Sequence, residues 1–231
     1  MRVTLNGIVA SDEDVWIYDY FGYKAFSPQT IRDAIAQNPA DEELVLELNS
    51  PGGSVFAGAE IYTLLKNTSV TTRAEIQSLA ASAASYLCLG CDSVEISPVA
   101  QMMIHLPTTV TAGDKTAHQR SIQMLDTTRE SILNAYELKV KGKTQRAELR
   151  RMMSAETWLT AQDALDKGLV DGILFTEQES TISPANVMNA FGLPDLAALR
   201  KAYMKAQEQP QTEQEPDWQL QARLELEKNR F

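Results

Sequence analysis

Apolar residues in the first half of the chain fall into short runs separated by turn signals, and their spacing alternates between strand and helix periods. Val3 to Val9 reads as a first strand interrupted at Gly7, and Val15-Trp16-Ile17-Tyr18 as a short second one. Ser27-Pro28-Gln29-Thr30 predicts a helix start, because a serine cap followed by proline at the first helical position leaves few end amides unsatisfied. Ile31, Ala34 and Ile35 mark its buried face, and Asn38-Pro39 ends it. Leu44 to Leu48 is the next strand, closed by a turn at Gly52-Gly53. Ala57, Ala59, Ile61, Leu64 and Leu65 then carry a helical stripe that stops near Asn67. Val70 to Ile76 predicts a further strand, followed directly by a helix opening at Ala80-Ala81-Ser82-Ala83-Ala84-Ser85. Strands and helices in alternation predict an α/β fold with stacked βαβ units.

The second half has longer periods. Val94-Glu95-Ile96 and Met102-Met103-Ile104 are short strands around Ser97-Pro98, and Thr116 to Lys139 is a long helix with Ile122, Leu125, Ile132 and Leu133 on one face. Arg146 to Met153 adds a second helix, so this region predicts a protruding arm. Thr157 to Asp171 reads as a turn, a short helix capped at Gly168 and a strand that runs to Phe175. One domain is therefore expected over residues 1–176. Residues 177–231 turn polar, with a Gln/Glu/Pro run from Gln207 to Asp217 that buries too little apolar surface to order itself, and a short amphipathic stretch from Gln219 to Lys228.

Composition narrows the function classes. The 231 residues carry a formal charge of −10, which argues against a nucleic-acid footprint. No stretch approaches the roughly 20 apolar residues of a membrane span, and the start Met1-Arg2-Val3-Thr4-Leu5 has no charged leader, so a cytoplasmic protein without a membrane partner is expected. The two cysteines, Cys88 and Cys91, have no second pair for a zinc site, and read as structural thiols. No metal or cofactor is implied.

Three pieces carry chemistry. Asn49-Ser50-Pro51-Gly52-Gly53 ends an apolar strand with a glycine pair whose backbone amides face outward unobstructed, a usable oxyanion donor and substrate-binding edge. Ser82 stands near a helix start, where free amides favour a developing oxyanion, with the Ala83 amide as a second donor. His105 ends the Met102-Met103-Ile104 strand, and a neutral imidazole there can take the serine proton and return it to a leaving amine, worth roughly 10²- to 10⁴-fold. The chain's other histidine, His118, lies in a polar helical stretch and reads as a surface residue. Spacing leaves Ser78 and Ser85 as rival nucleophiles.

At these residues the chain resembles the proteolytic subunit of Clp protease, a serine peptidase family of crotonase-like fold. The resemblance spans about Val3 to Phe175. It rests on Asn-Ser-Pro-Gly-Gly at 49 to 53, Ala-Ala-Ser at 80 to 82, Met-Ile-His at 103 to 105 with Pro107, and Trp158-Leu159-Thr160-Ala161 leading to Gly168-Leu169-Val170-Asp171. It implies Ser82 as nucleophile, His105 as general base, Gly53 and Ala83 as oxyanion donors, and Gly52-Gly53 as the edge that takes an extended polypeptide by strand addition. It also implies a homo-oligomer of seven-membered rings stacked as a double ring, with the Thr116 to Lys139 helix between rings.

Two departures stand out. The family's catalytic aspartate position is Met152, with Arg151 beside it, so the third member is expected at Glu156, with Glu148 second and a serine–histidine dyad as the further alternative. The first core strand begins almost at Met1, without the axial-loop segment that engages an unfoldase ATPase, which argues against that partner. The short start, Glu156-Thr157-Trp158 and the polar extension resemble the Clp-type proteases of bacteriophages and prophages, implying head maturation and capsid or portal partners. A related peptidase family uses a lysine base, which His105 argues against. The rivals are a catalytically impaired Clp-like scaffold and a crotonase-type acyl-CoA enzyme using the same pair of oxyanion amides.

Overall fold

A computed structural model describes residues 1–175; the polar extension at 177–231 lies outside the described residues. The elements follow in the order β1 (Arg2–Val9), α1 (Val15–Tyr20), β2 (Ala25–Phe26), α2 (Pro28–Gln37), β3 (Leu44–Gly53), α3 (Val55–Asn67), β4 (Thr72–Ala81) and α4 (Ala83–Leu87). After a 3₁₀ turn come β5 (Ser93–Ile96), β6 (Gln101–Ile104), α5 (Lys115–Val140), α6 (Arg146–Ser154), β7 (Thr157–Thr160), α7 (Ala161–Asp166) and β8 (Gly172–Ile173). The α/β architecture expected from the alternation is present.

The sheet runs β2-β1-β3-β4-β5-β8 with parallel pairing throughout. Its central strands carry Leu44, Leu46, Leu48, Ala74 and Ile76 into the core, the near-continuous apolar run of a parallel strand covered on both faces. β4 has two successive partners. Residues Arg73 to Ile76 pair with β5, and Leu79, Ala80 and Ala81 pair with Gln101, Met102 and Met103 of β6. β6 then takes β7 antiparallel on its other edge. The C-terminal ends of β4 and β6 are thereby fixed side by side.

Several expectations are corrected, among them the turn expected at Thr157, which is strand β7. Val15 to Tyr18 forms the start of helix α1, not a strand: Ser11 Oγ donates to Asp14 Oδ2 at 2.8 Å at the helix entry, and Ile17 alone in the helix is buried. The glycine pair does not turn the chain after a strand, because Gly52 and Gly53 are the last residues of β3, in register with Ile8 and Val9. Ala80 and Ala81 close β4 instead of opening a helix, because Ala80 pairs with both Ser50 and Met102, overriding the helix preference of alanine.

The long helix α5 divides in two. Its second half buries Ile132, Leu133, Ala135, Tyr136 and Val140 against the core, whereas Ile122 in the first half is 61% exposed and Met124 is also open. The single apolar face expected from Ile122 to Leu133 is therefore not one buried face. α2 starts as expected, with Ser27 N–H donating to Thr30 Oγ1 at 3.2 Å. Cys88 and Cys91 are buried free thiols; burial pushes both up, Cys91 to about 12. Among the described residues no helix is long and apolar enough to cross a membrane, and no cluster of side chains could hold a metal ion.

Candidate active site

Ser82 occupies the single residue between the end of β4 and the start of α4, and it does so at φ 54°, ψ −123°. Such a conformation costs a non-glycine residue about 1–3 kcal/mol and persists only where its surroundings over-determine it. Here they do. The Ser82 amide donates to the Met103 carbonyl at 2.9 Å, and the Ser82 carbonyl accepts from the Ser85 amide at 3.0 Å. The turn lifts the hydroxyl out of the sheet and leaves the residue half-buried.

His105 follows directly on β6, so the β4–β6 register that sets Ala81 opposite Met103 also brings the two strand ends together. Its Nε2 lies 2.7 Å from Ser82 Oγ. Burial pushes the imidazole below its ordinary value, and the Glu156 carboxylate pulls it partly back up. The neutral ring, the form that can accept a proton, is favoured. His118 is exposed on α5, in line with its reading as a surface residue.

The rival serines are occupied elsewhere. Ser78 Oγ donates to Asn49 Oδ1 at 2.7 Å, and Ser85 is fully buried with its hydroxyl bonded to the Ser82 carbonyl at 2.6 Å. Neither has an imidazole partner among the described residues.

The glycine pair lies against the Ser82 turn. A Cβ on Gly52, at φ 95°, would stand 2.7 Å from both the Ala81 carbonyl oxygen and Ser82 Cβ, and 2.9 Å from the Ala83 nitrogen. Only glycine permits that approach and that conformation. Ser54 N–H donates to the Val9 carbonyl at 2.7 Å while Val9 is in register with Gly53. In a parallel ladder alternate amides face opposite edges, so the Gly53 amide is directed away from β1, to the side where β4 ends in Ser82. The Ala83 amide is the first of α4 and has no partner within that helix. Both amides are thus left without a partner inside their own element, Ala83 next to the serine and Gly53 on the β4 side of β3.

The residues expected to supply an acid separate. Met152 is buried on α6, and its carbonyl accepts from Thr157 Oγ1 at 2.8 Å. Glu148 is held by Arg151 at 2.7 Å and Lys167 at 3.7 Å. Glu156, in a left-handed turn at φ 49°, is exposed and acts on His105 through space; no described residue hydrogen-bonds His105 Nδ1. The geometry is a serine–histidine dyad with a carboxylate nearby.

Between α3 and α5 lies a mostly apolar groove of about 680 Å³. It is lined by Val55, two residues beyond Gly53, by Tyr86, one turn beyond Ser82, and by Phe56, Met124, Ile132 and Leu138. Tyr86 hydroxyl donates to the Val55 carbonyl at 2.6 Å, tying the α3 and α4 walls together. No sequence motif marked this groove, because its two walls are about 70 residues apart along the chain.

Comparison with known proteins adds an independent line. The Clp protease family model matches residues 33–177. The chain is similar to ATP-dependent Clp protease proteolytic subunit 1 of Chlamydia abortus, 34% identical over 146 residues that cover 60% of this chain and 73% of the relative. It is similar to the subunit 1 protein of Protochlamydia amoebophila, 32% identical over 145 residues, 60% of this chain and 69% of the relative. The proteolytic subunit of Ligilactobacillus salivarius is 30% identical over 138 residues, 58% of this chain and 68% of the relative.

Proposed function

Because the chain belongs to the Clp protease family, we propose that it is a serine endopeptidase acting through an acyl-enzyme on Ser82. The 2.7 Å contact between His105 Nε2 and Ser82 Oγ is the observation that carries this reading, with the Gly53 and Ala83 amides as the proposed oxyanion donors. Ser82 Oγ attacks the scissile carbonyl carbon while His105 Nε2 takes its proton. The carbonyl oxygen becomes an oxyanion stabilised by the two amides, and collapse expels the amine, which receives its proton from His105. Water then attacks the acyl carbon, with His105 as base, and releases Ser82. Glu156 favours the imidazolium that forms during each step without a direct hydrogen bond. The extended substrate backbone runs along Gly52-Gly53, and the groove between α3 and α5 takes an apolar side chain.

The test is fluorophosphonate labelling of the purified chain, located by peptide mass spectrometry. One label at Ser82, abolished in Ser82→Ala and reduced at least about 10²-fold in His105→Ala, is expected. An unlabelled but folded chain would move the assignment to the second reading, a catalytically impaired scaffold, which the buried Met152 in the family's aspartate position favours.

The narrower role, cleavage of capsid proteins during phage head maturation, is supported by the likeness of Glu156-Thr157-Trp158 to phage Clp-type proteases. Cleavage of capsid or portal proteins by the active chain, and not by Ser82→Ala, is its test. A homo-oligomeric ring is supported by the exposed Ile122 and Met124 on the projecting half of α5.

A further inference from the structure

At the Ser82 carbonyl, one carbonyl and two hydroxyl groups form a buried line. Ser85 Oγ is 2.6 Å from the Ser82 carbonyl oxygen and also 2.6 Å from the hydroxyl of Tyr136. Ser85 is 0% exposed and Tyr136 1%, so water does not compete for these bonds. The direction of the chain is fixed by proton counting. A carbonyl can only accept, so the one Ser85 proton goes to Ser82; Ser85 must then accept from Tyr136, whose proton points to Ser85. Burial pushes the phenol well above its ordinary range, and the Ser85 bond pulls it only partly back, so it stays protonated at working pH.

We propose that Tyr136 and Ser85 are positioning residues that hold the Ser82 backbone in its left-handed conformation, and thereby aim Oγ at His105. This rests on the peptidase reading of Ser82. Three observations support it. The backbone of Ser82 is strained and needs outside restraint. The bond acts on the carbonyl that leads into the Ala83 amide, so rotation of this one peptide unit would displace both the nucleophile and an oxyanion donor. Tyr136 comes from the second half of α5, 51 residues along the chain from Ser85, so its hold on the Ser85 hydroxyl is tertiary and adds to the Ser85 amide bond that also reaches the Ser82 carbonyl. Linked hydroxyls polarise one another, and loss of the Ser85 hydroxyl leaves the buried Tyr136 proton without this acceptor and the Ser82 carbonyl with the Ser85 amide alone.

The experiment is the saturation kinetics of fluorophosphonate reaction on the full chain, for wild type, Ser85→Ala, Tyr136→Phe and the double variant. The maximal rate, the half-saturating concentration and the final label per chain are read separately. In Ser85→Ala the maximal rate is expected to fall about tenfold, with half-saturation unchanged and one label still reached per chain. Tyr136→Phe should fall less, and the double variant should be no slower than Ser85→Ala, because Tyr136 acts through Ser85. Unchanged rates, a lower final label at unchanged rate, or additive losses would each overturn the relay. Hydrogen exchange of the amides at 82–88 gives a readout independent of activity, with faster exchange expected in Ser85→Ala and equal exchange overturning the proposal. Failure of wild type to label at Ser82 would instead overturn the peptidase reading.

Discussion

His105 is poised between two opposing influences, burial that lowers its proton affinity and the Glu156 carboxylate that raises it, with burial the larger. Catalysis needs the neutral ring, which is present above its pKa and lost as pH falls through it. The acid limb of kcat/KM should therefore lie below the ordinary imidazole value of 6.5. Glu156→Gln removes the influence that raises the pKa, so the acid limb should move to still lower pH. The rate at the plateau should fall far less than the roughly 10⁴-fold that follows loss of a directly bonded orienting acid. A pH–rate profile checks both; an unmoved limb would show that Glu156 does not act on the base. The candidate base was legible in the sequence because there are two histidines and one ends a strand. Spacing did not choose among Ser78, Ser82 and Ser85, and only the family resemblance pointed to Ser82, since the choice depends on what each hydroxyl meets across the fold. The partner of Ser85 is Tyr136, 51 residues away, and no local pattern announces that contact.

At the level of elements, the site is made where β3, β4 and β6 end together. Gly52 sits so close to the Ser82 turn that a single methyl meets the Ala81 carbonyl and the Ala83 nitrogen. Gly52→Ala should destabilise the fold by at least about 1 kcal/mol, from positive φ and crowding combined. Displacement of the Ala83 amide should also cost about 10²–10³-fold in labelling rate. Thermal melts and labelling kinetics separate the two; an active, equally stable variant would show that the cradle is looser than the contact distances require. The strand and helix sequence was largely readable from periodicity, and its errors share one cause. Val15-Trp16-Ile17-Tyr18 and Ala80-Ala81 have local preferences that point the wrong way, and neighbouring strands and turns decide them.

Across the whole molecule, α5 carries two kinds of apolar residue on one continuous helix. Leu133 is fully buried, and Leu133→Ala should cost about 2–5 kcal/mol of stability. Ile122 is open, and Ile122→Glu should leave core stability within about 0.5 kcal/mol. If the projecting half forms the contact between copies, the same variant should shift the chain to smaller species in sedimentation velocity. An unchanged oligomer would place that contact elsewhere. The arm was legible as a long periodic helix, but its division into packed and unpacked halves was not, because periodicity records which side is apolar and not how far the core extends beneath it.

Synthesis proceeds from the N-terminus, so the parts of the site do not become available at once. Gly52, Ser82 and His105 lie within one stretch of βα units that is synthesised before α5. Tyr136 leaves the ribosome later, and can reach Ser85 only when the second half of α5 has docked. The serine and histidine can thus meet early in the life of the chain while the backbone that aims them is still unrestrained. Under the proposed relay, a newly made chain holds its nucleophile loosely until the second half of α5 has docked, which delays proteolytic competence until that helix is in place.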